Sequence, residues 1–134
     1  MKLIDCHTHT RFSVDSEADL GMCAERADRL GLVAYAVTDH CECNSWYPAE
    51  HYSDGDDMHD SYCYKDCFLD SVAAVTALKE KYTGKLNLIC GVEMGQPQAA
   101  PEAAAFINAD ERVDFIIGSL HQIRGEKDFY YIDY

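Results

Sequence analysis

Basic side chains are scarce in this chain of 134 residues, which has 11 lysines and arginines against 24 aspartates and glutamates. The formal net charge of −13 argues against a nucleic-acid-binding or anionic-membrane surface, because either would need a basic patch. An acidic excess suits bound metal ions or a cationic substrate, although much of it is also explained by solubility alone. The composition therefore predicts neither nucleic acid nor membrane as a partner.

The sequence has no apolar run that approaches membrane-spanning length, and its first residues lack the charged and apolar regions of a signal peptide. The seven cysteines are an odd number and are scattered, so reduced thiols in a cytoplasmic protein are the better interpretation. A structural zinc site is a weaker alternative, because Cys-x-Cys and Cys-x-x-x-Cys are not the usual ligand spacings. That site would use Cys41, Cys43, Cys63 and Cys67.

Strand-like and helix-like segments alternate along the chain, whose length suits one domain. Apolar segments predict four strands, at residues 2–6, 32–37, 86–92 and 113–117. Helical spacing of apolar residues predicts three helices, at residues 16–30, 64–82 and 101–108. This alternation implies an α/β fold of parallel strands joined by right-handed crossovers, with an active site at the carboxyl ends of the strands.

Residues 41–63 interrupt this alternation, since they are polar, aromatic and acidic and include Pro48 and Gly55. We interpret them as a long loop over the mouth of the site, because long loops in compact domains are usually functional or mobile. His51 lies in this loop and is a candidate for contacting substrate. A position on the surface of a mobile loop is equally expected for it.

The most informative motif, His7-Thr8-His9, directly follows the first predicted strand. Residues two apart in an extended strand project to the same face, so these two imidazoles would converge. Two neutral imidazoles facing one point are an ordinary start to a divalent metal site. Taken alone, the pair is almost as well explained as solvent-facing histidines at a strand end.

The other predicted strands end in residues of the same chemical kind. These strand ends are Thr38-Asp39-His40, Gly91-Val92-Glu93 and Gly118-Ser119-Leu120-His121, and Asp15 lies in the loop after the first strand. A carboxylate such as that of Glu93, inside an apolar segment, is costly to bury unless it is paired or binds a cation. Four aligned strand ends that carry imidazoles and carboxylates therefore predict a metal site.

These motifs, in this order and spacing, resemble those of the PHP (polymerase and histidinol phosphatase) family of metal-dependent phosphoesterases, and the resemblance runs through the whole chain. The long loop after the second motif and the tail Gly125-Glu126-Lys127-Asp128-Phe129-Tyr130-Tyr131 make the chain most similar to histidinol-phosphatase members. The resemblance implies a distorted (β/α)7 barrel of TIM-like type. It also implies up to three divalent metals and no organic cofactor.

The resemblance further implies a set of metal ligands. His7, His9 and Glu93 would hold the first metal, Glu93 would bridge to a second that His121 also binds, and Asp15 and His40 would hold the third. Glu93 and His121 would then be the catalytic residues, acting through metal and its bound water. Carboxylate and imidazole ligands suit zinc, manganese and iron alike, so the sequence does not choose among these metals.

Two residues beside these motifs have open roles. Asp39 could orient a neighbouring ligand by accepting a hydrogen bond from it, or could equally cap the end of its strand. Arg11 could contact a substrate phosphate through two hydrogen bonds, although a solvated loop arginine is the favoured interpretation.

The function that the resemblance implies is hydrolysis of L-histidinol phosphate to L-histidinol and phosphate in histidine biosynthesis. Alternatives are a PHP phosphoesterase that acts on a nucleotide or another sugar phosphate, and an inactive metal-binding fragment of such an enzyme. The fragment alternative arises because the family's late ligands, a further His or Cys and an Asp-x-His motif, would come from strands beyond residue 134. We therefore expect residues 1–134 to form the N-terminal half of the barrel, and its exposed strands to promote self-association.

Overall fold

The computed structural model describes residues 2–46, 64–122 and 129, and these residues contain five strands and three α-helices. The strands are β1 (Ile4–Asp5), β2 (Ala34–Val37), β3 (His40–Glu42), β4 (Asn87–Gly95) and β5 (Phe115–Ser119), and the helices are α1 (Leu20–Arg29), α2 (Tyr64–Tyr82) and α3 (Pro101–Asn108). Each pairing between these strands is parallel, which confirms the predicted α/β class. None of the described helices is both long and apolar enough to cross a bilayer.

In the sheet, β2 lies between β1 and β4, β3 pairs with the last part of β4, and β5 pairs with the other edge of β4. β2 and β3 pair with successive parts of β4 in one register, Ala34 opposite Asn87 and His40 opposite Glu93. They therefore form a single strand that is interrupted by two residues. Parallel pairing brings the carboxyl ends of the strands to one edge of the sheet, where ligands bind in folds of this class.

Helix α1 begins later in the chain than its apolar spacing predicts. It starts at Leu20 rather than at Ser16, because the Asp19 carboxylate caps the first turn by accepting a hydrogen bond from the Met22 amide. Ser16 instead lies in the loop after β1, where its hydroxyl donates a hydrogen bond to the carbonyl of His9. Because the helix starts later, Ser16 belongs to the loop, where it holds the backbone of His9, one of the predicted ligands.

The segment predicted as a long loop begins with regular structure. Residues 40–42 form β3, and Cys43–Trp46 form a 3-10 helix. This happens because β4 runs to Gly95, beyond its predicted end at residue 92, and offers its edge for pairing with β3. The rest of the predicted loop, residues 47–63, lies outside the described residues, and His51 lies there too.

One apolar core lies between the sheet and the helices. Val72 and Val75, two of the predicted apolar positions of α2, are buried in it, as are Ala24 and Ala27 of α1. Leu30, predicted on the same face as these alanines, is exposed because it lies past the last turn of α1. Burial of apolar surface stabilises a fold by about 25 cal/mol per Å². This core packs against the sheet and fixes the strands, so that their carboxyl ends can hold side chains in defined positions.

The two outer described strands expose apolar side chains. Leu3 and Ile4 are 48% and 58% exposed at β1, and Phe115 is 39% exposed at the start of β5. Among the described strands, β1 pairs only with β2 and β5 pairs only with β4. Each therefore presents one unpaired edge, as a half-barrel would.

Candidate metal centre

The carboxyl edge of the sheet gathers the side chains that the sequence motifs single out. Within the described residues, three groups of histidines and acids place their ligand atoms within 4.8 Å of one another. The groups are His7 with His9 and Glu93, His9 with Asp15 and His40, and His40 with Glu93 and His121. The groups share members, so the six residues predicted as metal ligands form one connected cluster.

Glu93 lies at the centre of this cluster and is buried. Its Oε2 lies 2.9 Å from the Nε2 atoms of both His7 and His9, and its Oε1 lies 2.9 Å from Nε2 of His121. The Ser119 hydroxyl also donates a hydrogen bond to Oε1. One carboxylate thus faces different imidazoles at its two oxygens, which is the arrangement needed to bridge two ions.

The charges of these groups are strongly coupled. Burial opposes ionisation of Glu93, yet its contacts with His121, His9 and Ser119 hold its pKa far below the usual range. The Glu93 carboxylate in turn raises the pKa of His9 to about 9, although burial of the imidazole acts in the opposite direction. The carboxylates of Glu42 and Glu93 raise the pKa of His121 to about 10. Without a cation, the imidazoles of His9 and His121 therefore hold their protons more tightly, and a bound metal would displace them.

The spacing of the ligand atoms fits a divalent ion. The Nε2 atoms of His7 and His9 lie 3.1 Å apart, and each lies 2.9 Å from Oε2 of Glu93. Ligand atoms at ~2.0–2.1 Å from a tetrahedral zinc ion lie roughly 3.3 Å from one another. A single shared proton cannot satisfy all of these atoms, whereas one cation can contact every one of them.

Asp15 lies at Nδ1 of the His9 ring, whereas Glu93 lies at its Nε2, and His40 lies within 3.7 Å of both acids. Oδ2 of Asp15 lies 2.9 Å from Nδ1 of His9 and 3.7 Å from Nε2 of His40. The Ser13 hydroxyl donates to the Asp15 carboxylate and accepts a hydrogen bond from the His40 amide. Although burial opposes ionisation, the contacts with Ser13 and His9 hold the pKa of Asp15 below its usual value. The two residues that the resemblance assigns to a third metal are thus neighbours.

Asp39 is buried beside the cluster but has different partners. Its Oδ2 accepts hydrogen bonds from the hydroxyls of Thr10, at 2.9 Å, and Ser71, at 2.6 Å. Its Oδ1 accepts a hydrogen bond from the Thr10 amide. The described hydrogen bonds of its side chain go to these residues and not to a predicted ligand, which differs from the role of orienting a neighbouring imidazole. Asp39 instead fixes the loop after β1 to the end of β2 and to α2.

Arg11 lies at the surface, with its side chain 62% exposed. Its guanidinium is 3.7 Å from the carboxylate of Asp19 and 5.8 Å from the centre of the Phe12 ring. These contacts are those of a solvated loop arginine. A contact with substrate phosphate stays a prediction.

Cys6, Cys23, Cys41, Cys43 and Cys90 are free thiols. The clusters of potential metal ligands found among the described residues do not include Cys41, Cys43 or Cys67. Cys63, the fourth residue of the alternative zinc site, lies outside the described residues.

Glu42 belongs to this site, although the sequence motifs did not single it out. It is buried, and its Oε1 lies 2.9 Å from Nδ1 of His121 and 3.3 Å from Nδ1 of His40. Burial opposes its ionisation, but these two imidazoles hold its pKa below the usual value. The two-residue period of a strand, which paired His7 with His9, could also have indicated Glu42. A residue two positions after His40 in a strand projects to the same face as His40. It was missed because the strand was predicted to end before residue 40.

Gln96 is a second residue that the motifs did not reveal. It has a left-handed backbone conformation, with φ of 53°, directly after β4. Its side-chain oxygen accepts a hydrogen bond from the His121 amide at 2.9 Å, and its side-chain nitrogen donates to the Gln122 carbonyl at 2.7 Å. Gln96 therefore fixes the backbone of His121 where the chain leaves β5. No pattern in the sequence marks a glutamine for such a role.

Comparison with known proteins identifies relatives of this chain. Residues 5–134 match the family described as the PHP domain. A probable histidinol-phosphatase from Clostridium acetobutylicum is 25% identical over 125 residues, which make up 92% of this chain and 41% of that protein. The chain therefore spans about two fifths of the length of this relative.

A solved structure shows the same fold. The crystal structure of histidinol phosphate phosphatase from Lactococcus lactis subsp. lactis Il1403, complexed with zinc, L-histidinol and phosphate, is 26% identical in sequence and similar with a TM-score of 0.69. The likeness covers 92% of this chain and 42% of that one. The predicted fold class, part of a PHP barrel built from parallel strands and helices, is thereby confirmed. The match over almost the whole sequence shows that this chain belongs to the PHP domain family.

Proposed function

We propose that this chain provides metal ligands for a phosphomonoesterase that hydrolyses L-histidinol phosphate to L-histidinol and phosphate, in the cytoplasm and in histidine biosynthesis. The observation that carries the proposal is the position of Glu93, whose two oxygens each face a different set of imidazoles at 2.9 Å. Divalent ions, when bound at such a site, supply Lewis acidity at a phosphoryl group and lower the pKa of water.

Each residue of the cluster has a role in this proposal. His7, His9 and Glu93 would hold one ion, Glu93 and His121 a second, and Asp15 and His40 a third. The imidazoles must be deprotonated to bind, so binding releases protons. Glu93 stays ionised at neutral pH because its imidazole and hydroxyl partners lower its pKa. The chain thus supplies negative charge and neutral nitrogen ligands at one edge of the sheet.

The choice of substrate is supported by the two relatives, one of which is named a probable histidinol-phosphatase. The other was crystallised with L-histidinol and phosphate. The net charge of −13 is compatible with the cationic amine of such a substrate. A second candidate function, metal binding without turnover by residues 1–134 alone, is favoured by the fact that the chain spans about two fifths of these relatives.

Phosphate release in the presence of Zn²⁺ or Mn²⁺ tests both candidates. L-Histidinol phosphate is compared with nucleotide monophosphates and with sugar phosphates, and Glu93→Gln serves as the control without the bridging charge. We expect wild-type chain to release phosphate preferentially from L-histidinol phosphate. Equal rates, or faster release from nucleotides, would contradict the substrate. Stoichiometric zinc uptake with no release from any substrate would support metal binding alone.

We also propose that the chain self-associates through its outer strands. Leu3 and Ile4 at β1 and Phe115 at β5 are exposed apolar side chains on strands with an unpaired edge. Such edges favour pairing with a second chain. Sedimentation velocity of the wild-type chain should show dimers or larger species, and a monodisperse monomer at all concentrations would contradict the proposal.

A further inference from the structure

Glu42 makes contacts that none of the ligand roles above requires. Its Oε1 lies 2.9 Å from Nδ1 of His121, while Nε2 of the same imidazole lies 2.9 Å from Oε1 of Glu93. The His121 ring is therefore held between two buried carboxylates, one at each ring nitrogen. Nε2 is the ring nitrogen of His121 that lies 2.9 Å from a predicted ligand, Glu93.

The two ring nitrogens of a neutral imidazole are not equivalent. One carries a proton and donates a hydrogen bond, and the other offers a lone pair that can bind a metal. A carboxylate lies beside each nitrogen of His121, but a cation at Glu93 would disfavour a proton on Nε2. With such a cation bound, Glu42 would hold the proton at Nδ1, and the lone pair of His121 would lie at Nε2, on the side of Glu93. Carboxylates that hold metal-binding histidines in this way change metal affinity by about 10- to 100-fold.

Gly95 provides the space that the Glu42 carboxylate occupies. The two residues are directly opposite each other in the pairing of β3 with β4. A Cβ atom placed on Gly95 would overlap the carbon and both oxygens of that carboxylate. Oε2 of Glu42 is buried without a hydrogen-bond partner among the described residues. The absence of a side chain at Gly95, together with the imidazole contacts, therefore sets where this carboxylate lies.

We propose that Glu42, packed over Gly95, is a positioning residue that fixes the ring orientation and the Nδ1–H tautomer of His121. It thereby presents Nε2 to the metal that His121 and Glu93 share. This inference rests on the proposed function, since it requires a metal at those two residues. It assigns a role to Glu42 and Gly95, neither of which would contact the metal.

Zinc affinity, measured by competition with a chromophoric chelator, tests the inference without any need for turnover. Glu42→Ala should weaken zinc binding by about 10- to 100-fold, because Nδ1 of His121 loses its acceptor. Glu42→Gln should fall between Glu42→Ala and wild type, because an amide oxygen can still accept from Nδ1–H. Gly95→Ala should also weaken binding, because the added methyl group displaces the Glu42 carboxylate while every ligand side chain stays in place.

Gly118→Ala is the matched control for Gly95→Ala. Gly118 lies in β5, the strand next to β4, and a Cβ placed on it has no atom within 4 Å. The same substitution there should leave zinc affinity unchanged. A fall in zinc affinity in Gly95→Ala but not in Gly118→Ala would then report displacement of the Glu42 carboxylate and not a general cost of replacing a strand glycine by alanine.

A double variant separates positioning from a general structural effect. If Gly95 acts only by leaving space for Glu42, Glu42→Ala combined with Gly95→Ala should bind zinc as weakly as Glu42→Ala alone. Long-range ¹H–¹⁵N spectra of the zinc-loaded chain provide a second readout. His121 should show a protonated Nδ1 in wild type and in Gly118→Ala, and a changed Nδ1 resonance in Glu42→Ala and Gly95→Ala.

The outcomes distinguish this inference from the proposed function. If Glu93→Ala loses zinc while Glu42→Ala and Gly95→Ala bind it as wild type does, the positioning role is overturned and the metal centre stands. An additive double variant would also overturn it. If wild type and Glu93→Ala bind zinc equally, both the metal centre and the inference are overturned. Should Glu42→Ala fail to fold, Gly95→Ala still decides, because it retains every side chain of the cluster.

Discussion

Asp39 and Glu93 are acidic residues at the ends of neighbouring strands, and they are almost equally buried, at 3% and 5% exposed. Their backbones are joined by a hydrogen bond from the Glu93 amide to the Asp39 carbonyl. The side chain of Asp39 accepts from Thr10 and Ser71, which are neutral donors, whereas that of Glu93 faces three imidazoles. Neutral donors occupy the oxygens of Asp39, while imidazoles can lose their protons and leave Glu93 open to a cation. The partners of a buried acid, more than its burial, therefore decide its role.

The largest difference between the two acids should appear in metal binding. Glu93→Ala should lose most of the bound zinc, because it removes a ligand from two of the three groups in the cluster. We expect affinity to fall by more than the ~100-fold that removal of a supporting residue typically causes. Metal per folded chain, measured by mass spectrometry after dialysis, checks this. Unchanged metal content would rule out the bridging role.

Asp39 should matter for stability instead. Asp39→Ala leaves two hydroxyls and one amide without their acceptor, and each buried unsatisfied donor costs ~1–3 kcal/mol. We therefore expect the free energy of unfolding to fall by roughly 3 kcal/mol or more, with metal content per folded chain unchanged. Denaturant unfolding of the metal-free chain measures the loss, and Asp39→Asn, which keeps one acceptor oxygen, should lose less. Loss of metal at unchanged stability would contradict this and would indicate that Asp39 takes part in metal binding, as is proposed for Glu93.

The stability of the metal-free chain should depend on pH in a way that distinguishes the two acids. The pKa of His9 is raised from 6.5 to about 9 and that of His121 to about 10, so their protonated forms stabilise the fold. This contribution is complete below pH 6.5 and is lost as the pH rises toward 9 and 10. Zinc affinity should change in the opposite direction over this window, because binding requires deprotonated imidazoles.

Thermal unfolding at a series of pH values measures this contribution. The fall in the unfolding midpoint above pH 6.5 should be smaller in Glu93→Ala, since the main partner of His9 is gone, while Glu42, the main partner of His121, retains part of the fall. Asp39→Asn should retain the whole fall, because the partners of Asp39 are neutral. An alkaline loss of stability as large in Glu93→Ala as in wild type would show that other groups cause it.

The smallest effect is expected at His51. It lies in the predicted loop and outside the ligand set, so His51→Ala should leave zinc content and zinc affinity as in wild type. Elemental analysis beside Glu93→Ala checks this. A loss of zinc comparable to that of Glu93→Ala would show that the predicted loop supplies a metal ligand.

Much of the fold and of the candidate site could be predicted from local pattern. The spacing of apolar residues indicated α2 and α3 with the bounds that the structure has, because amphipathic periodicity is a property of consecutive residues. The period of a strand likewise paired His7 with His9. Where the chain follows no such period, as at Gln96 with its left-handed backbone, nothing in the sequence indicated the contact with His121.

The α/β class and the strand-end motifs follow from local sequence, because both depend on residues that are neighbours in the chain. Which side-chain atoms come into contact depends on the fold. The register that sets His40 opposite Glu93 also sets Glu42 opposite Gly95, and so adds Glu42 to the site. Packing of α2 against the sheet brought Ser71 to Asp39 and satisfied it with neutral donors. These partners are far apart in sequence, so only the pairing of strands and the packing of helices could determine that neutral donors contact Asp39 while imidazoles contact Glu93.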